Sequence, residues 1–245
     1  MMNWWRKAFP IAAATLLLAV TPLHAASLRM SPIGLDLTAP EKAGAISLTN
    51  TSDEPVNLQI RIFKWTQVDG KDVLTETRDV LVSPPATTIK AEETYTLRVV
   101  RTASQPVSGE ETYRLVIDEL PKPIDPRAPA QGVRMVLRTS MPIFFADKAA
   151  IADIRFTSWR SGDKYYIEAF NAGARHVKLA GITLSSPDGE VSFGSGLNGY
   201  VLAGQTMRFE SAADTRALVR PGAATLITGK GSSLDLRKDL VIEAR

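Results

Sequence analysis

From Val56 onward the chain alternates, with Val56, Leu58, Ile60 and Ile62 on one side and Asn57, Gln59, Arg61 and Phe63 on the other. A period of two sends successive side chains to opposite faces of an extended strand, so one face is apolar and buried. The pattern returns in Tyr95, Leu97 and Val99 against Thr94, Thr96, Arg98 and Val100, and again in Tyr113, Leu115 and Ile117. Turn and stop signals separate these runs. Asp69-Gly70 supports a tight turn, Ser83-Pro84-Pro85 places two residues that cannot donate to a ladder, and Leu120-Pro121 ends the third run. No segment carries a helical stripe. Short strands at regular spacing predict an all-β fold built of sandwiches.

A second set of strands begins near Ile151. Its members are Ile151 to Trp159, Tyr165 to Phe170, Val177 to Leu184, Met207 to Glu210, Ala224 to Thr228 and Leu240 to Ala244. Ser186-Pro187-Asp188-Gly189 reads as a turn, and Gly194 to Gly199 as a loop. Small and charged residues interrupt the apolar pattern from Ala146 to Ala150. The expected organisation is therefore two β-sandwich domains, residues 26–147 and 148–245, each within the usual domain size.

The stretch between the two sets is the most informative. Pro121 to Gly132 reads PKPIDPRAPAQG, with prolines at 121, 123, 126 and 129. Such a connector cannot make a tight hairpin, and loops of this length inside compact domains usually serve function. A strand pattern follows from Gln131 to Pro142. Val133, Met135, Leu137, Thr139 and Met141 share one face, and Arg134, Val136, Arg138 and Ser140 share the other. Periodicity alone leaves open whether the first face meets this domain's own core or a partner.

The N-terminus changes the compartment expected. Arg6 and Lys7 precede an apolar run from Ala8 to Val20, Thr21-Pro22 breaks it, and Leu23-His24-Ala25 ends on a small residue. This is the layout of an export signal, residues 1–25, cleaved after Ala25, and the run is short for a membrane span. No later apolar run suggests stable membrane insertion. Cleavage would leave 245 − 25 = 220 residues. The signal holds two basic residues and no acidic one, so the net charge falls from +3 to 27 − 26 = +1. Neither that charge nor any basic block points to nucleic acid. With no cysteine, stability must come from apolar cores.

Taken in order, several landmarks resemble the periplasmic chaperones of the chaperone–usher pathway. They are Ser31-Pro32, Leu48-Thr49-Asn50, Ser83-Pro84-Pro85, the Tyr95 to Arg101 strand, Tyr113-Arg114-Leu115 leading to Asp118-Glu119-Leu120-Pro121, and the Gly132 to Phe145 strand behind its proline-rich loop. The resemblance implies two immunoglobulin-like sandwiches set at an angle with a cleft between them. It implies pilus or fimbrial subunits and an outer-membrane usher as partners, and no cofactor. In that family the subunits lack their last strand, and the chaperone lends its own, here carried by Val133, Met135, Leu137, Thr139 and Met141, the first three filling the subunit's groove. An exposed apolar edge also allows the free protein to cap itself as a dimer.

One departure stands out. Many members place two cations in the cleft to grip the subunit's terminal carboxylate, and those places fall here on Pro32 and Pro142. The resemblance is thus to a divergent, archaic or spore-coat-like branch. The nearest cations for a carboxylate are Arg98, Arg101 and Arg138. Glu119 resembles a glutamate that sets the angle between domains, but its arginine partner is replaced by Ala146.

Other classes find less support. Beyond residue 25, His176 is the single histidine, which rules out a His-rich or Cys/His metal site, and no nucleophile-elbow motif adjoins it. It reads as a surface strand residue. Adjacent acids such as Asp118/Glu119 and Glu92/Glu93 point to opposite faces of a strand and make a poor glycosidase pair. The sequence therefore predicts a binding protein rather than an enzyme, with a two-domain fimbrial structural subunit or adhesin as the alternative.

Overall fold

A computed structural model of the chain describes residues 28–121, 136–211 and 220–245. The described residues are all strand, turn and loop. The first ten strands are β1 (Leu28–Ser31), β2 (Leu35–Thr38), β3 (Ala43–Asn50), β4 (Val56–Val68), β5 (Lys71–Glu76), β6 (Val80–Ser83), β7 (Ala86–Ile89), β8 (Thr94–Arg101), β9 (Glu110–Leu120) and β10 (Arg138–Ala146). They form two sheets, β1-β3-β8-β6 and β2-β10-β9-β4-β5, with β7 also paired to β4. The alternation explains the core between them. Ile46, Leu48, Leu97 and Val99 face inward from one sheet, and Leu58, Ile60, Leu115, Ile117, Ile143 and Phe145 from the other. Each contributes about 1.5–3 kcal/mol through burial before ordering costs.

The remaining strands are β11 (Ile154–Ser161), β12 (Lys164–Asn171), β13 (Val177–Ala180), β14 (Thr183–Ser186), β15 (Gly189–Ser192), β16 (Leu197–Val201), β17 (Thr206–Glu210), β18 (Gly222–Ile227) and β19 (Arg237–Ala244). They make a second sandwich from a sheet in the order β15-β14-β18-β19-β11-β12-β17 and the pair β13-β16. Ile167, Leu179, Ile182, Leu184, Val191, Leu226 and Ile242 fill its core. Two elements differ from the sequence expectation. The apolar run from Val177 to Leu184 is two strands, because Gly181 adopts a left-handed φ of 56° and turns the chain from one sheet to the other. The glycine-rich stretch at 194–199 is part strand, since Leu197 opens β16.

Polar side chains also hold the first sandwich. Asn50, fully buried, donates to the carbonyls of Glu54 (2.7 Å), Ile89 (3.1 Å) and Lys90 (3.0 Å) and accepts from the Ser52 amide and hydroxyl. It closes the β3–β4 turn from within. On β8, Arg101 points inward and is buried. Its guanidinium donates twice to Glu111 of β9, at 2.7 Å each, and once to the Ala103 carbonyl at 2.8 Å. The hydroxyl of the fully buried Tyr113 lies 3.1 Å from Glu111, and the Lys64 ammonium sits 4.5 Å from the Tyr113 ring centre.

This cluster joins the two sheets by charge. The hydrogen bond from Arg101 holds the Glu111 carboxyl below its usual range against the opposing effect of burial. Burial drives the Tyr113 hydroxyl well up and pulls the Lys64 ammonium down. Removing one member of a buried pair strands the other charge. Glu111→Ala is therefore expected to cost about 3 kcal/mol in urea unfolding at neutral pH. In the native protein a carboxyl lowered by folding stabilises above its unfolded pKa and loses that contribution as pH falls. The gap between variant and parent should accordingly shrink on titration below about pH 4.

Candidate functional site

Strand β10 is shared unequally. It pairs antiparallel with β9 along its whole length, Arg138 opposite Asp118 through Ala146 opposite Glu110. On its other side β2 runs parallel and covers Ile143 to Ala146 alone. The hydrogen bonds fix which groups face which side. The Glu119 amide donates to the Leu137 carbonyl at 2.9 Å, and the Asp147 amide to Gly109 at 2.9 Å, so odd-numbered residues bond β9. The Ala39 amide donates to the Ala146 carbonyl at 2.9 Å, so even-numbered residues face the opposite edge. Among the described residues no strand covers that edge from Arg138 to Pro142.

Side chains follow the same alternation. Ile143 and Phe145 enter the core with Met141, which is 3 % exposed. Thr139 is half-buried on the same face. Leu137, at 37 %, and Val136, at 52 %, stand exposed where the strand begins. Of the five residues named on the donor strand, Met141 packs in its own domain's core beside Ile143 and Phe145. Val133 and Met135 lie outside the described residues.

The three arginines expected near a carboxylate are placed apart. Arg101 is buried and paired with Glu111. Arg138 reaches across to Asp118, whose other oxygen accepts from Arg61 at 2.6 Å. Burial pushes the Asp118 carboxyl up, but the two arginines outweigh it and leave it below its usual range. Arg98 is exposed on the outer face of β8. None of the three lines the cleft between the domains on the side of the two prolines, a space of about 290 Å³ bounded by Pro32, Ile33, Pro142, Phe144, Tyr200 and Lys178. Both prolines thus line the cleft, and the ammonium that lines it comes from the second domain.

The cleft is held by residues that sequence periodicity does not mark. Trp65, Phe144 and Leu202 form a small buried core between the domains, with Tyr200 against it. The Arg114 guanidinium lies 3.6 Å from the Trp65 ring centre, and burial lowers its pKa. Gln67 accepts from the Leu202 amide (3.0 Å) and donates to the Tyr200 carbonyl (2.9 Å). Arg175 forks onto Asp36 with two contacts of 2.8 Å. His176 is buried and is not the surface residue that its setting predicts. Its ring stacks on Phe144 with centres 3.6 Å apart, and its Nδ1 and backbone amide each lie 2.7 Å from Glu110, whose side chain is fully buried. Glu110, not Glu119, links the domains. Nothing in the sequence separates Glu110 from its neighbour Glu111, since both read as strand-end acids.

The family model for pili and flagellar-assembly chaperones, in its N-terminal domain, matches residues 27–149. The chain belongs to this chaperone family. The match ends just beyond β10. A similar curated protein is the uncharacterized fimbrial chaperone YcbF of Escherichia coli strain K12, 27 % identical over 155 residues. That stretch covers 62 % of this chain and 64 % of YcbF, so the alignment spans under two thirds of the relative. Among solved structures, a chain of the CsuC–CsuE chaperone–tip adhesion subunit pre-assembly complex, from the archaic chaperone-usher Csu pili of Acinetobacter baumannii, is 25 % identical. It matches with a TM-score of 0.64 over 90 % of this chain and all of that one. A chain of the Salmonella enterica SafA pilin–SafB chaperone complex shares the fold, with 16 % identity and a TM-score of 0.60 over 90 % of this chain and 97 % of that one. The two sandwiches of this chain are immunoglobulin-like.

The Glu110 contacts give a direct test of how the domains are joined. Glu110→Ala would leave the His176 amide and ring unpaired in a buried place, at a cost of about 2 kcal/mol. Calorimetry is expected to show the single unfolding transition broaden or split, whereas the exposed control Glu41→Ala should leave it unchanged.

Proposed function

We propose that this chain is a periplasmic chaperone that binds incomplete immunoglobulin-like pilus subunits by lending them the edge of β10 and delivers them to an outer-membrane usher. The observation that carries the reading is the uncovered stretch from Arg138 to Pro142, continued by the exposed Val136 and Leu137. An open strand edge presents unpaired backbone groups and attracts another strand. In strand addition the ladder supplies affinity, and alternate side chains entering pockets supply specificity. Leu137, with Val133 and Met135 on the same alternation, would enter the subunit, while Met141 and Ile143 continue that line into the chaperone's own core. One face of one strand would then serve two hydrophobic interiors.

The relatives agree with this reading. The CsuC structure was solved with a tip subunit of archaic pili and the SafB structure with a pilin. The prolines in the cleft and the likeness to CsuC support placement in the archaic branch. Residues 1–25 would direct export and be removed after Ala25, which brings the folded chaperone to the compartment where subunits emerge.

Leu137→Glu puts a charge where an apolar groove is proposed, while the side chain is solvent-facing in the chaperone alone. The variant should unfold within about 0.5 kcal/mol of the parent. Its recovery of soluble one-to-one complex with a co-expressed subunit from the same gene cluster should fall at least about tenfold, the loss of one buried leucine's contribution. Unchanged recovery in size-exclusion chromatography would remove Leu137 from the lent strand.

A further inference from the structure

We infer that Pro142 divides the outer edge of β10 into two ladders, one kept for β2 and one left for a subunit strand, because it alone among the edge-facing residues has no N–H. The inference rests on the function proposed above. Arg138, Ser140, Pro142, Phe144 and Ala146 turn their backbone groups toward that edge, as the alternation of bonds to β9 requires. The β2 ladder begins at Ile143 opposite Leu35 and stops there, although the chain before β2 continues past Pro142.

The close approach at this point is tight. A first side-chain carbon on Gly34 would lie 2.9 Å from the Pro142 carbonyl oxygen and 3.0 Å from its ring. The backbone of the β1–β2 bend thus lies against Pro142 near enough to pair with it. What is missing is a donor. Proline ends a ladder on the side it faces and is accommodated at strand edges for that reason. With an amide at position 142, β2 could extend its pairing backward and narrow the open edge. With proline there, the last donor that the edge offers an incoming strand before β2 is the Ser140 amide, preceded by those of Arg138 and Val136. The partner's ladder therefore ends at Ser140, which sets its register on β10.

Amide hydrogen exchange on the full chain reads this directly. The probe is a pilus subunit encoded beside this chain and co-expressed with it, purified as the complex. In the free chaperone the Thr139 and Met141 amides, bonded to β9, should be protected and those of Arg138 and Ser140 open. On complex formation Arg138 and Ser140 should slow by at least about tenfold while Thr139 and Met141 hold steady. In Pro142→Ala the new amide should be protected, in the free protein if β2 extends or in the complex if the subunit strand does. Exchange of that new amide at the unprotected rate in both states would overturn the inference, as would protection of Arg138 and Ser140 in dilute free chaperone.

A second variant covers the case in which Pro142→Ala fails to fold. Ser140→Pro removes an edge-facing donor without touching the β9 ladder, so it should fold and release subunit about fivefold faster, the loss of one hydrogen bond. Release at the parent rate would count against a ladder that ends at Ser140. Absence of any soluble complex with the unaltered chaperone would instead refute the proposed function and is distinct from each of these results.

Discussion

The fold turns on one unequal sharing of backbone hydrogen bonds. Strand β10 satisfies one side completely through β9 and the other side only over its last four residues, through β2. A sheet edge left open is a liability that most proteins cover, twist away or blunt with charge or proline. Here the last two devices stand beside the opening. Arg138 and Arg61 gather on the buried carboxylate of Asp118, and Pro142 removes a donor where the two regimes meet. The sandwich can tolerate the open stretch because its core is complete without it. Met141, Ile143 and Phe145 supply the apolar layer along the strand. The same alternation that fills the core reaches the exposed Leu137, so the geometry that stabilises the domain also aims that side chain.

Much of this is legible from period-two patterning. Val56 to Ile62, Tyr95 to Val99 and Tyr113 to Ile117 fold as strands β4, β8 and β9 with their apolar residues inward, because in a sandwich each strand needs one buried face and water or a thin polar layer covers the other. The pattern fails where a strand face is buried by something other than its own sheet partner. Trp65, Phe144 and His176 are buried at the contact between the domains, outside either sandwich core. Their residue types carry no period that would reveal it, and His176 reads as a solvated residue for that reason. Glycine at 181 splits a run that hydropathy alone presents as continuous. Met141 poses the opposite problem. It shares the face of Leu137, and periodicity cannot say where along a strand its own core ends and a partner's begins.

The second domain is attached by varied chemistry rather than by area alone. A stacked imidazole, a glutamine bonding in both directions and a fork of arginine on aspartate each fix a different direction. Two of these reach elements that frame the open edge, since His176 rests on Phe144 of β10 and Arg175 on Asp36 of β2. The second sandwich thereby steadies the strand pair β10 and β2. It also places Lys178 across the cleft from Pro32 and Pro142, so the ammonium in the cleft comes from the far wall, while Asp36 lines the near one.

Trp65 gives the molecule an optical consequence. The sequence holds four tryptophans, and two of them, Trp4 and Trp5, fall within residues 1–25, the proposed export signal. The exported protein would keep one in each sandwich. Trp159 sits between Tyr166 and the guanidinium of Arg245 on the second domain, 6 % exposed. Trp65 is wholly enclosed at the seam, edge-on to Tyr200 with ring centres 5.5 Å apart. Emission from the seam would respond to separation of the domains while the other indole reports on the second sandwich alone, a two-channel gauge written into the native chain without any label.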